Sequence, residues 1–197
     1  MSTYKEISVS GRSKSLEDTE KAIKHILPSV FTEGDEKAYR VVYAVHELLP
    51  SSDSDSKPTN PEEIPCRFIG LITLRSLSPD SLALPPHFFP ESTRSAEVLT
   101  AELGYQFLPT AWGKGFAGES LSAVFQACER APTFWAPYDK VYVRAIVNSG
   151  NPASQRVMTK IGVPRLGVYE WKGKALFLAG KWRERDTVWI YGMFVRE

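Results

Sequence analysis

Two glycines, Gly113 and Gly115, flank Lys114 in a short turn between an apolar run and an amphipathic one. The run before the turn holds Leu103, Tyr105, Phe107 and Leu108 and is closed by Pro109. The segment after it sets Leu121, Val124, Phe125 and Cys128 at helical spacing. Strand, glycine-rich turn and helix in this order aim several backbone N–H groups, and the positive end of a helix dipole, at one point just past the strand. That is chemistry for an anion, and a phosphate is the natural guest. The same spacing also suits a strand-to-helix connection that needs glycine for steric reasons. A Gly-x-Gly turn alone does not decide between them.

The elements that would carry this turn can be read along the chain. Residues 4–10 alternate weakly, as a short strand would. Ser15 opens a capping-box-like start, and Leu16, Thr19, Ile23, Ile26 and Leu27 share one helical face up to Pro28. Residues 37–48 are rich in β-branched and aromatic side chains and read as a strand. Residues 66–76 read as the next strand, with Gly70 marking a bulge or close packing. Between them, residues 49–64 are polar and proline-bearing, a surface insertion. A second loop, 77–95, carries Phe88 and Phe89 as anchors, for packing the loop down or for lining a substrate mouth. After the turn and its helix come a strand at 140–147 and a helix at 152–161, with Pro152 at its first position and Gly162 beyond its end. Strands at 165–172 and 186–195 finish the chain. This interleaving predicts a single α/β (α+β) domain over residues 1–197, with a central, mostly antiparallel sheet and insertions near 49–64 and 77–95.

Composition narrows the field. The chain has 197 residues, 43% hydrophobic and 12% aromatic, ample for a core. A net charge of +1 gives no support to a nucleic-acid groove or an anionic membrane surface. Cys66 and Cys128 form no CxxC pair and are too few for a disulfide framework or a zinc site, so no metal is expected. No apolar segment resembles a secretory signal or a membrane helix, which predicts a cytoplasmic protein.

Two segments carry a resemblance. One is Trp112-Gly113-Lys114-Gly115-Phe116-Ala117, directly after Tyr105-Gln106-Phe107-Leu108-Pro109. The other runs from Asn148 through Asn151, Pro152 and Ser154 to Met158, ending Lys160-Ile161-Gly162. In this order the pair resembles the GCN5-related N-acetyltransferase (GNAT) superfamily, and more narrowly its ribosomal-protein N-terminal acetyltransferase, or Rim-type, branch. Gly180-Lys181-Trp182 with Asp186 and Tyr191 is similar to that branch too. The resemblance implies a twisted sheet splayed between two central strands and flanked by helices, with acetyl-CoA as cosubstrate. It implies pyrophosphate on the backbone of Gly113, Lys114, Gly115, Phe116, Ala117 and Gly118, and pantetheine along the backbone of Phe107 and Leu108. Trp112 stands where relatives often have Gln or Arg, and the Rim-type branch often has Trp. Asn148 and Asn151 match positions that touch the cofactor's arm, although asparagine also caps turns and helices well.

The implied reaction moves an acetyl group from a thioester to a primary amine, of a protein N-terminus or of a small molecule. It needs a proton acceptor for the amine, an N–H donor for the oxyanion and a proton source for the leaving thiolate. Many relatives use a tyrosine for the last role, where this chain has Met158, which cannot donate. Ser154, one turn earlier, is the nearest hydroxyl, and equally an ordinary helix-start serine. For the base, Glu102 is the first candidate, because period-two geometry puts it on one face with Gly104 and Gln106. The bland alternative is a surface strand carboxylate. Tyr169, Glu170 and Asp186 are lesser candidates, and His25, His46 and His87 show no metal-ligand spacing. The competing reading is a non-catalytic acyl-CoA-binding or scaffold protein on the same fold, as a monomer or homodimer.

Overall fold

Runs of valine, isoleucine, leucine and tyrosine at alternating positions form the strands of this protein. The structure, a computed structural model, describes residues 15–17, 20, 39–50, 65–79, 81–178 and 181–197, with residues 174–178 and 181–182 described by backbone alone. The strands are β1 (Arg40–Leu48), β2 (Cys66–Ser76), β3 (Val98–Phe107), β4 (Lys140–Asn148), β5 (Arg165–Leu178) and β6 (Lys181–Arg196). Among the described residues two longer helices join them, α1 (Phe116–Glu129) and α2 (Pro152–Lys160), and a single helical turn, Pro132–Trp135, lies between α1 and β4. The expected strand at 4–10 and nearly all of the helix at 16–27 lie outside the described residues, as does most of the 49–64 insertion.

The strands form one sheet in the order β1-β2-β3-β4-β6-β5. Every pairing is antiparallel except β3 with β4, which run parallel with α1 as the crossover. This is the mostly antiparallel mixed sheet that the interleaved pattern predicts. The helices cover one face. There Leu99 and Leu103 of β3 and Val141, Val143, Ala145 and Val147 of β4 pack under Leu121, Val124 and Cys128 of α1 and Met158 of α2. Leu121 and Met158 are fully buried, and each such side chain contributes about 1.5–3 kcal/mol by leaving water.

The 77–95 loop covers the opposite face. Phe88 packs on Val188 and Ile190, and its ring lies over Gly167, where a Cβ would meet it at 2.5 Å. Phe89 stands edge-on to Tyr142, with centroids 6.2 Å apart. Of the two uses open to these phenylalanines, the loop shows packing down. The last hairpin is longer than the sequence pattern predicts, because β5 runs on to Leu178 and β6 begins at Lys181. Lys172, Arg183, Glu184 and Arg185 break the apolar alternation there. Hairpin strands satisfy each other's backbone whether or not a face is apolar, so pairing continues across an irregularity between Lys172 and Leu176.

One relationship in the sheet matters most for function. Pairing between β3 and β4 begins at Val98 with Lys140 and stops at Leu103 with Ala145. Both strands run on, β3 to Phe107 and β4 to Asn148. β2 stays with β3 as far as Phe107, and β6 stays with β4 as far as Asn148. The sheet therefore opens into a V between its two central strands.

Candidate active site

The glycine turn lies at the mouth of that V. Gly113 has φ of 75° and Gly115 has φ of 88°, both in the left-handed region that side chains disfavour. Gly115 is the N-cap of α1 and brings no side-chain cap. The first helical hydrogen bond comes from the Glu119 N–H to the Gly115 carbonyl, at 3.2 Å. The N–H groups of Phe116, Ala117 and Gly118 thus point out of the helix end without helical acceptors. With the helix dipole behind them they fit a phosphate. Lys114 does not aim a free charge at this point, since its Nζ lies 3.8 Å from Glu47 Oε1. Glu47 is shared with Arg67, whose hydrogen bond holds the carboxyl below the usual carboxylate range.

The register shows which backbone faces the opening. The Leu108 N–H donates to the Ile69 carbonyl at 2.8 Å, so Leu108 turns toward β2 and away from the V. Alternation then turns Tyr105 and Phe107 toward the opening. Of the expected pair, the Phe107 backbone faces the opening and the Leu108 backbone faces β2, because a one-residue step along a strand reverses its hydrogen-bonding direction. The Trp112 indole donates to the Phe107 carbonyl at 2.8 Å and ties the turn back onto the strand. Gly70 of β2 makes room for this end of β3. A Cβ there would lie 2.5 Å from the Gln106 carbonyl and 2.7 Å from the Phe107 ring. The β1–β2 register also slips beside it, between Val45 and His46. Gly70 thus serves both the bulge and the close packing.

Glu102 is on the other face, under the loop. The register sets it directly between Arg75 of β2 and Arg144 of β4. Its Oε1 accepts from Arg75 Nη2 at 2.8 Å, and its Oε2 accepts from Arg144 Nη2 at 2.8 Å and from Nε at 3.2 Å. Arg144 also donates to the Leu82 carbonyl of the loop at 2.9 Å. Burial pushes the Glu102 carboxyl up, but Arg144 and Arg75 together outweigh it and hold the group below the usual carboxylate range. A carboxylate with both oxygens engaged and a depressed pKa is a weak proton acceptor.

The second motif places Asn148 at the end of β4 and Asn151 at the start of α2. Asn151 Oδ1 accepts from the Ser154 N–H at 3.1 Å, an N-cap. Asn148 donates to Asp186 Oδ2 at 2.6 Å and accepts from the Gly150 N–H at 2.9 Å, so both ends of its side chain are used within the protein. Asp186 is held in turn by Arg183, at 3.0 Å. Met158 is wholly inside the core. Ser154, in the first turn of α2, lies against the Tyr105 side chain across the V. The Tyr105 hydroxyl is buried beside Ser154. Burial raises its pKa, with Ser154 pulling the other way. Sequence reasoning passed over Tyr105. The available signal was parity: counting by two from Leu103 puts a hydroxyl on the buried face, where polar atoms need a partner. Among the described residues no cluster of His, Cys, Asp or Glu has the form of a metal site.

Residues 2–163 match the family model of the acetyltransferase (GNAT) domain. The chain belongs to that family, whose cosubstrate is acetyl-CoA. No curated protein matches the sequence. Solved structures that resemble it include the ribosomal-protein-S5-alanine acetyltransferase of Vibrio fischeri, with 15% identity, a TM-score of 0.41, and 64% of this chain and 54% of that one covered. RimJ of Mycobacterium smegmatis in complex with CoA-disulfide shares 17% identity, with a TM-score of 0.42 and coverage of 66% and 52%. A spermidine N-acetyltransferase SpeG variant of Vibrio cholerae shares 18%, with a TM-score of 0.42 and coverage of 93% and 77%. The chain spans about half the length of the first two of these relatives, 54% and 52%. Similarity at this level bears on neither substrate nor partner. No helix among the described residues is long and apolar enough to cross a membrane.

Proposed function

We propose that this protein transfers the acetyl group of acetyl-CoA to a primary amine, at a protein N-terminus or on a small molecule, by direct attack in a ternary complex. The observation that carries this reading is the V between β3 and β4, with unpaired strand backbone along one arm and an uncapped helix N-terminus at its mouth. The N–H groups of the Gly113–Gly118 turn hold the pyrophosphate, and small residues at Gly113, Gly115 and Ala117 let the backbone come close. Trp112 fixes the turn to the strand. The backbone of Tyr105 and Phe107 pairs with the amides of the pantetheine arm, as an added strand would. Acetyl-CoA supplies an activated thioester.

An N–H group of β3 faces the carbonyl oxygen and stabilises the charge that gathers there. Ser154 stands where the departing sulfur needs a donor, in the place that Met158 cannot fill. Asn148 and Asn151 set the start of α2 and so the position of Ser154. Glu102 holds β2, β3 and β4 in register beneath the opening, and the amine's proton leaves through water rather than to that carboxylate. Thiol release measured across a panel of amines tests the reading. Turnover with any primary amine supports it. Tight acetyl-CoA binding with no turnover on peptide or small amines would replace it with a binding role.

A further inference from the structure

Among the described residues, two tryptophan indoles donate to backbone carbonyls, and they are held in different ways. Trp135 Nε1 donates to the Cys128 carbonyl at 3.1 Å from a ring that is 2% exposed. Packing against Tyr39 and Phe134 fixes that ring, and the hydrogen bond satisfies a buried donor. Trp112 Nε1 donates to the Phe107 carbonyl at 2.8 Å, but its ring is 67% exposed. A large side chain left in water gains little from burial, so the carbonyl it reaches sets its direction.

That carbonyl belongs to the open arm of the V. The peptide bond between Phe107 and Leu108 is trans, so its C=O and N–H point in opposite directions. The N–H, of Leu108, donates to the Ile69 carbonyl of β2. The C=O, of Phe107, therefore points away from β2, toward the opening that begins past Leu103 and Ala145. An amide laid along β3 from that side, as an added strand would lie, needs this acceptor. The Trp112 indole N–H holds it, and so stands where that amide donor must stand.

The indole is not the turn's only tie to the strand. The Ala111 N–H donates to the Leu108 carbonyl at 2.9 Å, and the backbone N–H of Trp112 donates to the Pro109 carbonyl at 3.2 Å. Ala111 is buried, and Lys114 reaches Glu47 on β1. The indole can leave by side-chain rotation and give its N–H to water, while the backbone of the turn stays in place.

We infer that Trp112 is a gate on the path of the pantetheine arm: its indole holds the Phe107 carbonyl until an amide N–H of the arm takes it over. This rests on the reading that acyl-CoA lies in the V. The arm exchanges one hydrogen bond on that carbonyl for another, so it gains less affinity from β3 than an unclaimed acceptor would give. A ligand that touches only the glycine turn makes no such exchange. The gate therefore taxes the arm and not the phosphates.

The test is calorimetric titration of the full chain with acetyl-CoA and with adenosine 3′-phosphate 5′-diphosphate, which carries the phosphates and lacks the arm. The quantity read is the ratio of the two affinities, because any loosening of the turn acts on both ligands. Trp112→Phe, which cannot donate, should raise the preference for acetyl-CoA about two- to tenfold, the worth of one net hydrogen bond. Trp112→Leu, which also removes the ring, should raise it by a similar factor. The inference is overturned if either variant, folded with an unchanged melting temperature, keeps the original ratio or lowers it. Failure of the unsubstituted protein to bind acetyl-CoA, or binding of it no tighter than the armless compound in all three proteins, would instead overturn the reading that the arm lies in the V.

Discussion

Glu102 and Arg144 meet through two hydrogen bonds, from Nη2 at 2.8 Å and from Nε at 3.2 Å, on adjacent strands in direct register. Arg144 is only 2% exposed. A guanidinium at that depth depends on its carboxylate, and removal of one member of such a pair costs about 3–5 kcal/mol. Glu102→Ala is expected to lose stability of that order in urea denaturation. Glu102→Gln, which keeps the shape and one of the two acceptors, should lose less and retain kcat within about tenfold. A collapse of kcat in a folded Glu102→Gln protein would return the base role to Glu102.

The same pair sets a pH dependence. The folded-state pKa of Glu102 lies below its unfolded value, through Arg144 and Arg75. Its contribution is therefore complete above the unfolded pKa of about 4.3 and fades as pH falls through the depressed folded value. Urea midpoints measured between neutral pH and the acid side of that range should fall more steeply for the unsubstituted protein than for Glu102→Gln.

Gly115→Ala probes the turn. A Cβ at Gly115 meets no atom within 4 Å, so the cost comes from φ of 88° alone. About 1–2 kcal/mol of stability should be lost, with a larger effect on acetyl-CoA affinity as the N–H groups rotate away from their common point. Equal affinities for the two proteins would mean that the turn does not hold the phosphates.

Gly70→Ala probes the strand through its neighbour. The new methyl would collide with the Gln106 carbonyl and the Phe107 ring, at 2.5 and 2.7 Å. Overpacking of this kind costs about 1–3 kcal/mol. It should also weaken acetyl-CoA binding, because Phe107 must move, and a binding curve that is unchanged would detach Phe107 from the cofactor path.

Much of this was legible in the residues. Val141, Val143 and Ala145 alternate cleanly, Pro152 and Gly162 bracket α2, and the glycines of the turn are where positive φ is needed. What was not legible depends on register. Whether Leu108 or Phe107 faces the opening turns on a single-residue step, which is set by the Ile69 contact on another strand. The ion pairs of Glu102 join residues far apart in sequence, and nothing local to Glu102 announces Arg75 or Arg144. The long β5–β6 hairpin was hidden by charges that its backbone pairing tolerates.

The most direct test of the account is thermal unfolding of the full chain over a titration of acetyl-CoA. Binding to the folded state alone should raise stability by about 2.7 kcal/mol at a hundredfold excess over Kd, with a melting temperature that climbs with ligand concentration. Gly115→Ala should shift that curve to higher acetyl-CoA. A melting temperature that stays flat across millimolar acetyl-CoA would contradict the V and its glycine turn as an acyl-CoA site.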